Sequence, residues 1–153
     1  MPIYMNYPGI KGGVTAAGHE GWIELNSVQW GVSRTVSGST SGSSGRESSA
    51  PSISEMVVTK PTDIASAGLL RASLVGEGQE VTIDFCKTDK GQLNVYLSYT
   101  LFNTLISSDS LTSKGDHPEE SISLNFTRFE CRDLLHGASP TTVGYDLATG
   151  KNS

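Results

Sequence analysis

The sequence predicts a mainly β protein: two packed antiparallel sheets forming a sandwich or barrel, with one short α-helix covering an opening. Three observations carry this. Val81 to Phe85 and Leu93 to Leu101 both alternate apolar and polar residues, and the polar stretch Lys87 to Gln92 between them reads as the turn of an antiparallel hairpin. Further short alternating runs recur along the chain, separated by turns rich in Gly, Ser and Pro, with 17 glycines in all. Only one stretch, Ile64 to Leu74, carries apolar residues at helical spacing. The 153 residues fit a single domain over 1–153. A chain of this size buries roughly 70% of its unfolded surface, so it needs no metal or disulfide to fold.

Taken in order, Ile3 to Tyr7 reads as a short strand ended by Pro8-Gly9, and Lys11-Gly12-Gly13 as a turn. His19 to Ser33 then reads as one long strand, running on to about Val36, that holds both tryptophans. Trp22, Val28, Trp30 and Val32 share one face of it, and Ile23 and Leu25 share the other. The apolar face therefore changes around Asn26-Ser27, which means burial on both faces or a β-bulge. A strand apolar on both sides needs two partners, the fold's own core and a plausible second subunit. Residues 37–50 form a Gly/Ser-rich loop, either flexible in the isolated chain or a protruding arm that orders on a partner. Gly and Ser bring no apolar surface to offset their ordering entropy.

Ser52 to Lys60 reads as a strand that Pro61 stops. Thr62 or Asp63 caps the helix that follows, and Gly76 ends it. Its stripe of Ile64, Ala67, Leu70, Arg71 and Leu74 reads as core packing. After the hairpin, the second strand continues through Phe102, Leu105 and Ile106, and Ser113 to Pro118 is a turn. Ile122, Leu124 and Phe126 alternate with polar residues until Phe129 breaks the pattern, marking a bulge or an end. His136 to Pro140 is a loop, Val143 to Leu147 a last short strand, and the polar tail frays. The total is six to eight strands and one helix.

Charge and missing motifs narrow the function. A net charge of −5 argues against a nucleic-acid binder, which needs a Lys/Arg face to displace counterions. No apolar run is long enough to span a bilayer, so no membrane insertion is expected. The N-terminus has no signal-peptide pattern, so the chain is expected to fold in the cytoplasm and to leave, if at all, without a cleaved signal. Cys86 and Cys131 are then expected to be free thiols. Gly38 to Gly42 has Thr at the centre where a nucleophile elbow needs Ser. No phosphate-binding loop is present. His19, His117 and His136 lie in or beside turns, far apart in sequence, and are expected to be solvated; Glu119 and Glu120 are adjacent and face opposite ways on a strand. No catalytic residue, metal site or cofactor is expected, and the protein is not expected to be an enzyme.

Four blocks of sequence resemble one family. Gly18 to Leu25 with Trp30-Gly31-Val32 resembles the first long strand of the haemolysin-coregulated protein (Hcp) family, whose members are tube proteins of type VI secretion. Arg46 to Lys60, then Gly115-Asp116, Pro118 and Glu120 to Thr127, and finally Val143 to Thr149 resemble later blocks, in the family's order. The resemblance spans nearly the whole chain. It implies a phage tail-tube-like fold that assembles as a homo-hexamer. Rings stack into a tube inside a contractile sheath beneath a spike protein, and small effector proteins ride in the lumen. It places Ser27 and Gln29 toward the lumen. It makes Ser37, Gly38, Ser39, Thr40, Ser41, Gly42, Ser43, Ser44 and Gly45 the loop that reaches an adjacent ring. Two departures stand out. His117 replaces an Arg common in relatives, and Glu130 to Leu135 replaces a Tyr-Lys-Tyr-like strand end, which puts a subunit contact near that edge in doubt. The alternative is a carbohydrate- or protein-binding β-sandwich using Tyr96 or Tyr99 as an exposed platform. A small hydrolase built on Asp116 and His117 has no visible constellation behind it.

Overall fold

A computed structural model describes residues 1–37, 49–135 and 139–152. Its strands are β1 (Ile3–Asn6), β2 (Ile23–Leu25), β3 (Ser27–Gln29), β4 (Val32–Ser33), β5 (Ser52–Ile53) and β6 (Met56–Pro61). The helix α1 (Ser66–Val75) follows, then β7 (Gln79–Asp89), β8 (Gln92–Thr112), β9 (Glu119–Asn125), β10 (Arg128–Asp133), β11 (Thr141–Asp146) and β12 (Lys151–Asn152). Among the described residues twelve strand segments replace the six to eight expected: His19 to Val36 gives three, Ser52 to Lys60 gives two, and β10 and β12 add two more.

The large sheet has the order β12-β11-β10-β8-β7-β1-β2, and a four-stranded sheet has the order β3-β6-β9-β8. Strand β8 belongs to both. Its first half pairs with β7 and β10, and its second half, Leu105 to Thr112, pairs with β9. The change falls at Asn103, whose φ of 51° is left-handed and suits the short polar side chain of Asn. Gly78 leaves room for that carboxamide, since a Cβ there would collide with it.

The other sheet change falls at Asn26. Before it, Ile23 and Leu25 are buried and β2 pairs with β1; after it, Val28 packs on the core and β3 pairs with β6. Here the switch of apolar face in the sequence is a switch of sheets. The single strand expected over His19 to Val36 is therefore three short ones. Lys11 to Gly13 is not a turn either: Gly12 and Val14 donate to the carbonyls of Gly21 and Trp22, making one leg of a loop that folds back.

The β7–β8 hairpin forms as expected, with a tighter turn at Lys90-Gly91, both at positive φ (51° and 76°). The tail does not fray. β12 pairs with β11, and Asp146 Oδ1 accepts the backbone N–H groups of Ala148 and Thr149. Phe129 marks an end, since β9 stops at Asn125 and β10 starts at Arg128. The segment from Glu130 is not an edge, because β10 lies between β8 and β11.

Between the sheets sit Met5, Ile23, Met56, Ile83, Leu101 and Leu124, all fully buried. Each contributes about 2 kcal/mol by leaving water. One mouth of the barrel is closed by aromatic rings, with Trp30 against Phe129 and Tyr99 at centroid distances of 4.9 and 5.5 Å. The other is plugged by α1, and here the expectation fails. Leu69 and Ala65 enter the core, while Ile64, Ala67, Leu70, Arg71 and Leu74 are all exposed. The reason is steric. Gly68 lies against Ile10 so closely that a Cβ would crowd it, so the helix seats by its small-residue side and turns the apolar stripe outward.

Candidate assembly surface

The four-stranded sheet buries one face and presents the other. Ser27 and Gln29 on β3 are exposed on that outward face, in register with Thr59 and Val57 of β6, which pair in turn with Ser121 and Ser123 of β9. Hydroxyls dominate it. The Ser27 and Thr59 hydroxyls are 2.5 Å apart, and Asn26 Nδ2 donates to Glu119 Oε2 at 2.9 Å. Both edges of this sheet are unpaired among the described residues. β3 pairs only with β6, and β8 beyond Thr104 pairs only with β9. Open edges are templates for a further strand.

Beside the β8 edge, α1 exposes Leu74 and Val75 at 75% and 70% of their surface. The turn into α1 is fastened from below. Lys60 is fully buried, and its Nζ donates to Asp63 Oδ1 (2.8 Å), Glu120 Oε2 (3.0 Å), the Pro61 carbonyl (2.8 Å) and Ser66 Oγ (3.3 Å). Asp63 Oδ1 also accepts the N–H of Ala65, so Asp63 does fix the helix entry, from two residues ahead of the N-cap position. Gly76 ends the helix as expected, in extended rather than left-handed conformation.

A second polar cluster lies on the large sheet. His19, at 7% exposure, is buried rather than solvated. Its Nε2 lies 2.8 Å from Asp84 Oδ2, and its ring packs between Tyr4 and Trp22. Asp84 Oδ1 accepts the Ser98 hydroxyl at 2.6 Å. The carboxylate thus stands between Ser and His, whereas a nucleophilic triad needs the imidazole in the middle. Burial, and then the Asp84 carboxylate, push the Cys86 thiol up to about 11. Burial also raises the Asp109 carboxyl, with Glu120 adding to the rise and Lys60 opposing it. Both cysteines are free thiols.

Other expected residues are scattered. Asp116 and His117 are exposed in the β8–β9 turn. Tyr99 is packed between Trp30 and Phe85 and cannot serve as an exposed platform, while Tyr96 is half-buried beside Phe85. Ser37 is exposed; Gly38 to Gly45 lie outside the described residues, as does His136. The stem beneath them is a two-stranded arm, Val32 facing Ile53 and Ser33 facing Ser52, with the Ser49 N–H on the Thr35 carbonyl at 2.9 Å. Among the described residues no group of His, Cys, Asp and Glu could hold a metal, and no helix is long and apolar enough to cross a membrane.

A mainly β barrel of two sheets, plugged by one helix and with open strand edges, defines the class of this protein. Residues 4–132 match the family described as Type VI secretion system effector, Hcp, and the chain belongs to that family. Its fold is shared with solved structures across almost the full length of each chain. A type six secretion system protein superposes with a TM-score of 0.87 at 22% identity, covering 99% of both chains. Hcp1 from Salmonella typhimurium gives 0.80 at 19% identity, again over 99% of both. Hcp1 of the E. coli EAEC 042 pathovar, solved as a double tryptophan mutant, gives 0.78 at 19% identity, over 96% of this chain and 99% of that one. No curated protein matches the sequence.

Proposed function

We propose that this chain is the tube subunit of a type VI secretion system, and that it closes into hexameric rings that stack, leave through that system and carry effector proteins in the lumen. The observation that carries ring closure is the pair of unpaired edges on the four-stranded sheet. Its neighbours are all antiparallel, so its terminal strands β3 and β8 run in opposite directions. The β8 of one copy therefore meets the β3 of the next as an antiparallel pair. Such a head-to-tail contact repeats until the rotation closes. Closure turns the hydroxyl face, with Ser27 and Gln29, toward a common interior. The arm beyond Ser33 and Ser52, tipped by Ser37 to Gly45, then projects toward a neighbouring ring. The sheath, the spike and the cargo are partners by the family's role.

Light scattering across a gel-filtration peak, with negative-stain images of the same fraction, tests this. Hollow six-fold rings are expected. A stable monomer at tens of micromolar, roughly the range where a specific interface of standard size is saturated, sinks the ring.

A further inference from the structure

We infer that the outward face of the four-stranded sheet docks a protein whose contacting surface is rich in Lys and Arg. The inference rests on the ring reading, in which this face lines the lumen, and adds to it the chemistry of what the lumen holds.

The face carries negative charge that its own chain does not offset. Glu55, one residue before β6, accepts the Ser107 hydroxyl of β8 through Oε2. β9 lies between those two strands, so the Glu55 side chain reaches across it. The inward side of β9 is filled by the fully buried Ile122 and Leu124, so the exposed Glu55 crosses on the outward side. At the other end Asn26 Nδ2 donates to Glu119 Oε2 at 2.9 Å, and here β6 is the strand spanned. Each carboxylate is therefore laid against the sheet by a neutral donor, which fixes its position and leaves its charge in place. Neither has an ion pair among the described residues.

Cations are missing from the same surface. β3, β6, β9 and the half of β8 from Leu105 to Thr112 hold one basic residue, Lys60, and it is fully buried on the inward side. Arg34 on the arm and Lys114 in the β8–β9 turn lie beyond the ends of the sheet. Glu119 faces Pro61 at the far end of β6 from Glu55, so the two carboxylates stand about 20 Å apart along the strands. Between them lie the hydroxyls of Ser27, Thr59, Ser121 and Ser123. This is a band of one sign with hydrogen-bonding ground inside it, wider than a single ion could satisfy.

The sign and the polarity choose the partner. Val57 and Pro61 on this face are half-buried, so little apolar surface is on offer and attraction must come from charge. Closed into a ring, the face is repeated by every copy around one channel. Walls of one sign focus the field within a channel and concentrate the opposite charge there. A basic protein surface is drawn in, and an acidic one or a polyphosphate chain is repelled.

Fluorescence anisotropy of two labelled peptides of equal length, one of Lys and Ser and one of Glu and Ser, reads binding to the full chain. Light scattering on the same samples reports the ring. The Lys peptide is expected to bind and to be released as salt is raised; the Glu peptide is not expected to bind. Glu55→Gln with Glu119→Gln keeps both hydrogen-bond acceptors and should weaken the Lys peptide by on the order of tenfold. Glu80→Gln with Asp89→Asn removes the same charge from exposed positions of β7 and should leave binding within about twofold. Equal weakening by the two pairs overturns the inference, because net charge alone then governs binding, and so does equal binding of the Glu peptide. Rings lost only with the Glu55 and Glu119 changes overturn it too, because those carboxylates then serve assembly. A monomer in the native chain overturns the ring reading instead, and the same two variants, titrated as monomers, still decide whether this face binds cations.

Discussion

Asp109 shows how one side chain can oppose the stability of its own protomer. Burial raises its carboxyl above the ordinary 3.8, so the folded state holds the proton more tightly than the unfolded chain does. The stability this gives is complete below the unfolded value and is lost as pH rises through the raised folded value. Asn cannot ionise, so Asp109→Asn should unfold at higher urea than the native chain at about pH 7, with the gap closing by about pH 3. Measured on dilute protomer, equal midpoints at both pH values would show that the carboxyl is not strained. None of this is legible in the sequence, where Asp109 is one polar residue in a Ser-rich run. His19 is similar. Gly18 and Gly21 mark a turn, and turn histidines are usually solvated; its partner Asp84 is 65 residues away, and only the fold brings them together.

At the scale of elements, strand runs and turns were legible wherever one face alone is buried. The β7–β8 hairpin follows from alternation, and the Asn26 switch left a trace as a change of apolar face. The helix was legible as a helix, but its buried side was not. Apolar spacing marks a stripe that seeks cover without saying whether the same chain supplies it, and Gly68 against Ile10 decides the seating. The uncovered stripe makes a direct prediction. Leu74→Asp changes a residue that is three-quarters exposed, so the protomer should keep its unfolding midpoint within about 0.5 kcal/mol. The same change should remove the ring from the light-scattering profile. A variant that still forms rings would show that the stripe faces solvent in the assembly.

For the molecule as a whole, the sequence carried the fold class and the family, because its blocks follow the family's order from Gly18 to Thr149. The proposed lumen face and stacking tip are less legible, since a Ser or Gly on an exposed face carries the same pattern in a monomer and in a tube. Assembly geometry is a property of edges, and edges are defined by strands that are missing. Trimming the first seven residues tests closure of the barrel itself. β1 stands between β7 and β2, so its loss frees both, and the truncated chain is expected to be insoluble or to lack a cooperative thermal transition.

The placing of β1 also orders events in time. Ile3 faces Phe85 across the sheet, and Ile23 to Leu25 reach the rest of the large sheet only through β1. β1 and β2 thus wait, unpaired with β7, until β7 itself has been synthesised. β7, β8, β9 and β10, by contrast, are sequential neighbours joined by short turns, and loop closure there is inexpensive. Folding is therefore expected to start in this late meander and to finish when the amino-terminal strand docks. Until that last step no complete barrel exists, so under the proposed ring assembly the order of the chain would hold back contact between copies on the ribosome.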